Sequence, residues 1–298
     1  MNASDTAIFR LSLQEAEQGN INAQKTVGDM YMLGKGTEQN FSEAARWYNL
    51  AANKGHAGAQ KCLGNMYANS IGLPQDYTLA IKWYRMAAEA GHAKAKFNLG
   101  LMYQIGHGVE KSYLEAFKWQ LAAAEQGYAP AQFSVALLYS DGKGTDKDPE
   151  KAFYWFHQSA EQGYVTAQFN LAHAFETGNG TEPNSKSAVK WYKIAAQQGD
   201  YSAQIHLASL LMQNLDTAPD YFESYVWYCV ASAKQELSKE HTASFKQAGE
   251  SLSKEEREGA FSRAMDLQAR MNDLNSDKIL ARLSVKSAVH SLLADTGS

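Results

Sequence analysis

The six tryptophans of this chain recur at a single interval, and that regularity constrains the fold more than any other feature. They stand 36 residues apart, at Trp47, Trp83, Trp119, Trp155, Trp191 and Trp227. Glycines keep the same period, at Gly19, Gly55, Gly91, Gly127, Gly163 and Gly199. A fixed period of about 20 to 50 residues is typical of a solenoid, in which each unit buries its apolar side only against its neighbours. The 298 residues are therefore predicted to form an array of repeats rather than two globular domains.

Each unit contains two helical patterns. In the third copy Ala95, Leu99 and Tyr103 fall at i, i+4 and i+8 and predict one helix, called helix A. Trp119 and Ala123 lie on the apolar face of a second one, helix B. Residues suited to capping stand before every helix B, at Asn40, Asp76, Ser112, Asp148, Asn184 and Asp220. The periodic glycine is expected to end helix B, because it adopts positive φ without strain.

Small residues on helix A predict how closely helix B approaches. They directly follow an apolar position, at Gly28, Gly64, Gly100, Ala136, Ala172 and Ala208. A bulky side chain there would hold helix B away. The tryptophan of helix B is therefore expected to fill the open space, so that all six indoles share one buried seam.

Three strings carry a resemblance to a known family. AQFNLA at 167–172, TGNGTE at 177–182 and SAVKWYKIAAQQG at 187–199 together resemble the Sel-one-like repeat (SLR) family, relatives of the tetratricopeptide repeats. The resemblance implies an all-α fold: a right-handed superhelical solenoid of antiparallel helix pairs, serving as an adaptor for protein partners. A secreted branch of the family has a cysteine pair in every repeat. This chain has only Cys62 and Cys229 and departs from that branch.

The loss of the period at both ends defines the predicted domain organisation. Residues 1–19 are expected to form a capping half-repeat, residues 20–235 six repeats, and residues 236–272 C-terminal capping helices. The last cap is predicted to present one apolar stripe to the core, formed by Phe261, Ala264, Met265 and Ala269. Residues 273–298 are expected to be a tail in which the segment 278–293 could form another helix.

Charge and cysteine content limit the environment and the partners. The net charge is −4, which provides no basic field for a nucleic acid or an anionic membrane. Two cysteines provide no disulfide framework, and no stretch has the length or apolarity of a signal peptide or a membrane span. These features predict a protein of a bacterial-type cytoplasm that neither binds nucleic acid nor inserts into a membrane.

Motifs that could carry chemistry are weak. GKGT at 34–37 and 142–145 lacks the spacing of a phosphate-binding loop and is interpreted as a turn between helices A and B. Ser140, Ser187 and Ser251 each precede a lysine by three positions, but the partner motifs of serine acyl-enzymes do not occur. His56 and His92 are interpreted as junction residues rather than metal ligands. No catalytic, cofactor or metal site is predicted.

The outward side of helix A is the predicted binding surface. Phe97 and Leu101 lie about 160° from Leu99 at 100° per residue, and so point away from helix B. Equivalent residues continue the row at Phe133, Leu137, Phe169 and His173. In a tetratricopeptide-like superhelix this side lines the concave groove and could hold a peptide. The alternative is that the rings pack between successive A helices.

A sharper hypothesis concerns polar residues on the same side. Some tetratricopeptide domains bind a C-terminal carboxylate with Lys and Asn side chains on successive A helices. Lys61, Asn65 and Asn98 occupy the corresponding repeat positions here, with Lys94 nearby. The distal basic residue of that clamp is missing here.

The predicted function is a non-catalytic scaffold that binds a protein or peptide in the groove, without cofactor or metal. The alternatives are a penicillin-recognising hydrolase and a secreted effector-type adaptor that acts on host proteins.

Overall fold

The computed structural model describes residues 3–213 and 218–283, with side chains up to residue 273. Every regular element in these ranges is an α-helix. They are α1 (Ala3–Glu17), α2 (Ile21–Leu33), α3 (Phe41–Asn53), α4 (Ala57–Ala68), α5 (Tyr77–Glu89), α6 (Ala93–Ile105), α7 (Tyr113–Ala124), α8 (Ala129–Asp141), α9 (Pro149–Glu161), α10 (Val165–Thr177), α11 (Ser185–Gln197), α12 (Tyr201–Leu211), α13 (Tyr221–Ser232), α14 (Lys239–Glu250) and α15 (Lys254–Leu283). The even-numbered helices α2 to α12 are the A helices and the odd-numbered α3 to α13 the B helices. The predicted all-α fold of repeated helix pairs is confirmed.

The chain forms two compact units, the N-terminal one mainly residues 3–131 and the C-terminal one mainly residues 146–280. In the N-terminal unit each helix from α1 to α6 packs against the next along the chain. The C-terminal unit repeats this arrangement from α9 to α14. Consecutive packing is the organisation of a repeat array, in which stability comes from contacts between neighbours.

Capping chemistry fixes where the helices begin and end. The predicted caps of the B helices all accept a backbone N–H, as Asp76 does from Leu79 at 2.9 Å. The glycine that follows α5, Gly91, has φ +88° and ends that helix. Gly180 lies in an A-to-B turn with φ +76°, and an added Cβ would lie 2.0 Å from the carbonyl oxygen of Pro149. Its turn therefore packs against the first turn of the preceding B helix, and the interpretation of these glycine motifs as turns is confirmed.

The seam between helices A and B is filled by the residue that follows each tryptophan. These residues are all buried: Tyr48, Tyr84, Gln120, Phe156, Tyr192 and Tyr228. A Cβ on Gly64 would lie 2.5 Å from the ring of Tyr84. The prediction that tryptophan fills this space was therefore wrong. The prediction that all six indoles share one buried seam was also wrong, because Trp119, Trp155 and Trp191 are only half-buried.

One residue along a helix is a rotation of about 100°, which turns each tryptophan toward the flank of its helix pair. Trp47 on α3 accordingly packs with Ala16 of α1 and Val27 of α2. The tryptophans thus join successive repeats instead of closing one.

The C-terminal helix buries a different stripe from the predicted one. Ala260, Ala264 and Met271 are buried, whereas Phe261 and Met265 are 58% and 55% exposed. Ala269 is exposed as well. Of the predicted stripe only Ala264 faces the core, where it joins Ala260 and Met271 in the buried cluster of the C-terminal unit. Of the predicted tail, residues 273–283 continue α15 and residues 284–298 lie outside the described residues.

Candidate functional site

The predicted binding residues lie on A helices in both units, and in each unit the side of the A helices that carries them is called the A-helix face. In the N-terminal unit it comprises Lys61 and Asn65 on α4 and Lys94, Phe97, Asn98 and Leu101 on α6. In the C-terminal unit it comprises Phe133 and Leu137 on α8 and Phe169 and His173 on α10. Lys94, Leu137 and His173 are exposed and the other seven are half-buried.

The two asparagines of this face bind each other. Asn98 Nδ2 donates to Asn65 Oδ1 at 3.0 Å, and the hydroxyl of Tyr84 donates to the same oxygen at 2.8 Å. Burial raises the pKa of Tyr84, so this phenol stays a donor. The structure therefore brings Asn65 and Asn98 together as the sequence predicted, but it uses part of their hydrogen-bonding capacity within the protein.

The phenylalanines of the face take part in packing. Phe97 contacts the ring of Tyr128 edge-on, with centroids 5.4 Å apart. In the C-terminal unit Phe133 lies against Phe156 and Tyr164, at 5.8 and 5.3 Å.

Phe169 lies against Tyr192 and His206, at 5.6 and 5.3 Å. Phe133 and Phe169 thus touch the B helix of their own pair, and the expectation that they point away from it was wrong. The ring is large enough to reach the seam from the flank of helix A.

An open cleft in the N-terminal unit was not predicted as a whole. It has a volume of about 470 Å³, and its lining includes Lys25 of α2, Lys61 of α4, and His92 and Lys94 at the start of α6. Gln126, Gly127 and Tyr128, which link α7 to α8, complete it. Lys25 occupies the same position in its repeat as Lys61. This shared repeat position is the sequence signal that could have identified Lys25 as part of the cleft.

His56 and His92, interpreted from the sequence as junction residues, lie at junctions and cap the helices that follow. His56 Nδ1 accepts the backbone N–H of Ala59 at 3.2 Å, and His92 Nδ1 accepts that of Ala95 at 3.4 Å. Burial, together with the positive charge of Lys61, lowers the pKa of His92. A neutral imidazole is what this cap requires, since Nδ1 must carry a lone pair.

A second polar cluster lies in the C-terminal unit. The Tyr192 hydroxyl donates to Glu176 Oε2 at 2.5 Å, and His206 Nδ1 lies 3.7 Å from the same oxygen. The interaction with the His206 ring lowers the pKa of Glu176. The cluster joins α10, α11 and α12. It provides polar partners for the Tyr192 hydroxyl and the Glu176 carboxylate, which packing has partly removed from water.

Residues considered for catalysis are engaged in local structure. Ser251 donates its hydroxyl to the Gln247 carbonyl at 3.0 Å, and Lys254 lies 3.9 Å from Glu258. Ser187 is in the first turn of α11. In residues 3–213 and 218–273 no group of three His, Cys, Asp or Glu side chains is arranged to hold a metal ion. Within the described helices, none combines the length and apolarity needed to cross a membrane.

Comparison with known proteins identifies the repeat. The family model of the Sel1 repeat matches residues 21–56, 58–92, 93–128, 129–164 and 165–200, most of which begin at the start of an A helix. The chain belongs to the Sel1 repeat family. The five matched Sel1 repeats end at residue 200, and the pair α12–α13 follows the last of them.

Two solved structures support the Sel1 repeat fold over most of the chain. The Sel1 repeat protein of Oxalobacter formigenes is 34% identical with a TM-score of 0.65, covering 72% of this chain and 89% of its own. The protein c5321, a protective antigen of uropathogenic Escherichia coli with an SLR fold, is 28% identical with a TM-score of 0.55, covering 95% of this chain and 67% of its own. None of the curated proteins compared with this sequence matches it.

Proposed function

We propose that this Sel1 repeat protein is a non-catalytic scaffold that binds a peptide segment of a protein partner on its A-helix face. The observation that carries the proposal is a contrast between two positions of helix A. One position holds the same buried residue in every copy: Ala23, Ala59, Ala95, Ala131, Ala167 and Ala203. The position two residues later differs from copy to copy: Lys25, Lys61, Phe97, Phe133, Phe169 and Ile205.

Packing dictates the first position, because a larger side chain would separate the helices. At the second position the side chain changes from copy to copy while the frame stays the same. Ile205 is buried, Phe133 and Phe169 contact their B helix, and Lys25 and Lys61 are half-buried. Variation of a partly exposed surface on a constant frame is how repeat proteins present a binding site without altering their fold. In this proposal residues 20–235 form six repeats, of which α12–α13 belongs to the sixth, and residues 1–19 and 236–272 form the caps.

The cysteines favour a particular compartment. Unpaired Cys62 and Cys229 favour a reducing compartment such as the cytoplasm.

Site-specific photocrosslinking in living cells tests the proposal. A benzophenone amino acid replaces Lys94, Leu137 or His173, which are exposed on the A-helix face. Matched control positions are Leu114 and Tyr154, each 53% exposed on a B helix. We expect the A-helix-face positions to capture a protein that the control positions do not, as identified by mass spectrometry. Adducts confined to the control positions would contradict the proposal.

The hydrolase alternative has a separate test. Incubation with a fluorescent penicillin followed by intact-mass analysis would reveal a stoichiometric acyl adduct on a serine acyl-enzyme. We expect none. An adduct mapped to Ser140, Ser187 or Ser251 would replace the scaffold proposal with a catalytic one.

A further inference from the structure

The cleft between α2, α4 and α6 is positively charged although the chain as a whole is acidic. Among the described residues, its lining includes Lys25, Lys61 and Lys94 and no carboxylate. The net charge of the chain is −4, so the cleft departs from the general electrostatics of the molecule. Such local concentration of one sign of charge in a concavity attracts the opposite charge and raises its local concentration.

In the part of the chain that the structure describes, two of these three lysines have no counterion. Lys25 pairs with Asp29 on its own helix. Lys61 Nζ lies 3.5 Å from the Cys62 sulfur. Within residues 3–213 and 218–273 neither Lys61 nor Lys94 has a carboxylate at ion-pair distance. Lys61 is half-buried, which makes an unpaired charge there more costly than at the open surface. A bound carboxylate would offset that cost.

Helix termini add to the positive potential. The cleft lies at the N-terminal ends of α4 and α6, and neither these helices nor α2 and α8 have an acidic residue in the first turn. An acidic residue is the ordinary complement to the partial positive charge of a helix N-terminus. Lys94 occupies the first turn of α6 instead, where a cation opposes the helix dipole. The stability of α6 therefore does not account for this lysine.

The behaviour of His92 agrees with this potential. Its side chain lines the cleft together with the lysines, and after burial the charge of Lys61 is the main influence that lowers its pKa, with Lys94 and His56 adding to it. The imidazole is held neutral as a helix cap, so it remains an acceptor toward Ala95 and does not add a further cation.

An aromatic surface borders the lysines. Tyr128 lines the cleft and packs edge-on against Phe97, which is half-buried on the A-helix face. Apolar and cationic groups thus lie side by side, which suits a ligand with both an apolar side chain and carboxylates. A nucleic acid would require a basic surface that extends well beyond one cleft, so a cleft of this size favours a peptide.

We propose that this cleft binds an acidic peptide segment, with carboxylates at Lys61 and Lys94 and a neighbouring large apolar side chain against Phe97 and Tyr128. The inference rests on the proposed scaffold function and specifies the chemistry of the partner. Side-chain carboxylates suffice for this recognition, so a free C-terminus is not required. The cleft volume of about 470 Å³ accommodates a few side chains rather than a folded domain.

The test is a selection from a displayed library of C-terminally amidated heptapeptides on the full-length chain. We expect enrichment of sequences in which Asp or Glu flanks Phe, Leu or Trp. The affinity of one enriched synthetic peptide, read by fluorescence anisotropy, should fall about tenfold in the double variant Lys61→Ala with Lys94→Ala. A control double variant, Lys82→Ala with Lys186→Ala, removes the same charge at exposed positions outside the cleft and should leave the affinity unchanged.

Several outcomes would overturn the inference. These are enrichment of purely apolar peptides, no enrichment, equal loss of affinity in both double variants, or tighter binding of a single-stranded oligonucleotide than of the peptide. Each leaves the scaffold proposal testable, because crosslinking from Leu137 and His173 does not depend on the lysines. Loss of all crosslinks from the A-helix face would instead refute the broader proposal.

Discussion

The hydroxyl of Tyr84 on α5 donates to Asn65 Oδ1 on α4 at 2.8 Å, and this bond has counterparts in other repeats. Tyr48 donates to Asp29 at 2.7 Å, and the Tyr228 and Ser209 hydroxyls lie 2.9 Å apart. Where helix B has an apolar ring at this position, in Phe156, helix A has Leu137. The two positions therefore match in polarity, since a buried hydroxyl needs a partner and a buried ring does not.

Replacing both members of one pair should be less damaging than replacing one. Tyr84→Phe removes the hydroxyl and is expected to lower the free energy of unfolding by about 1 kcal/mol. Asn65→Leu leaves the Tyr84 hydroxyl without its acceptor and should cost about 1 to 3 kcal/mol. The double variant reproduces the Leu137–Phe156 combination and should recover part of that loss. Urea unfolding of the four proteins measures the coupling, and strict additivity would show that the bond contributes nothing.

Two glycines in helix interiors should respond oppositely to alanine. A Cβ on Gly64 would lie 2.5 Å from the Tyr84 ring, so Gly64→Ala must displace α5 and is expected to cost about 1 to 3 kcal/mol. On Gly259 of α15 the nearest atom would be 3.9 Å away, in Phe222. Gly259→Ala should therefore stabilise the protein by about 0.5 to 1 kcal/mol through helix propensity alone. Thermal unfolding followed by circular dichroism distinguishes them, and a destabilised Gly259→Ala would contradict the prediction.

The periodic pattern was sufficient to predict the helix pairs, their caps and their turns, because each depends on residues close in sequence. Asp76, for example, caps α5 through a bond to Leu79, three residues away. The prediction about the tryptophans was wrong because it depended on the rotation of helix B about its own axis, which decides the residue that faces helix A. Positions 83 and 84 are both apolar enough to face the seam, and only the fit of Tyr84 against Gly64 decides between them.

The candidate site was predictable in part. The phases of Lys61, Asn65 and Asn98 were sufficient to place them on one face, since equivalent positions of neighbouring helices lie side by side. The cleft also depends on Gln126 and Tyr128, which lie in the connection to the next repeat. Their approach to α6 follows from the packing of three helix pairs, which no short pattern encodes.

Two methionines of α15 provide a test of the face that this helix buries. Met271 is 4% exposed and lies 3.7 Å from the Gln204 amide nitrogen, whereas Met265 is 55% exposed. Met271→Ala is expected to lower the free energy of unfolding by about 2 to 5 kcal/mol, because it leaves a cavity. Met265→Ala should change it by less than about 0.5 kcal/mol. Equal effects in urea unfolding would show that α15 packs through the stripe that contains Phe261.

The cap at His92 predicts a dependence of stability on pH. In the folded state burial, and then the charge of Lys61, lower the pKa of His92 below its ordinary value. The neutral ring therefore contributes its full stability above about pH 6.5, and this contribution is lost as the pH falls below that value. His92→Asn retains a cap, as Asn20 does for α2, but cannot titrate. Urea unfolding at about pH 7.5 and 5 should therefore show a larger loss of stability for the wild type than for His92→Asn, with the remaining titrating groups common to both proteins. Parallel losses in the two proteins would mean that protonation of His92 leaves the α6 cap intact.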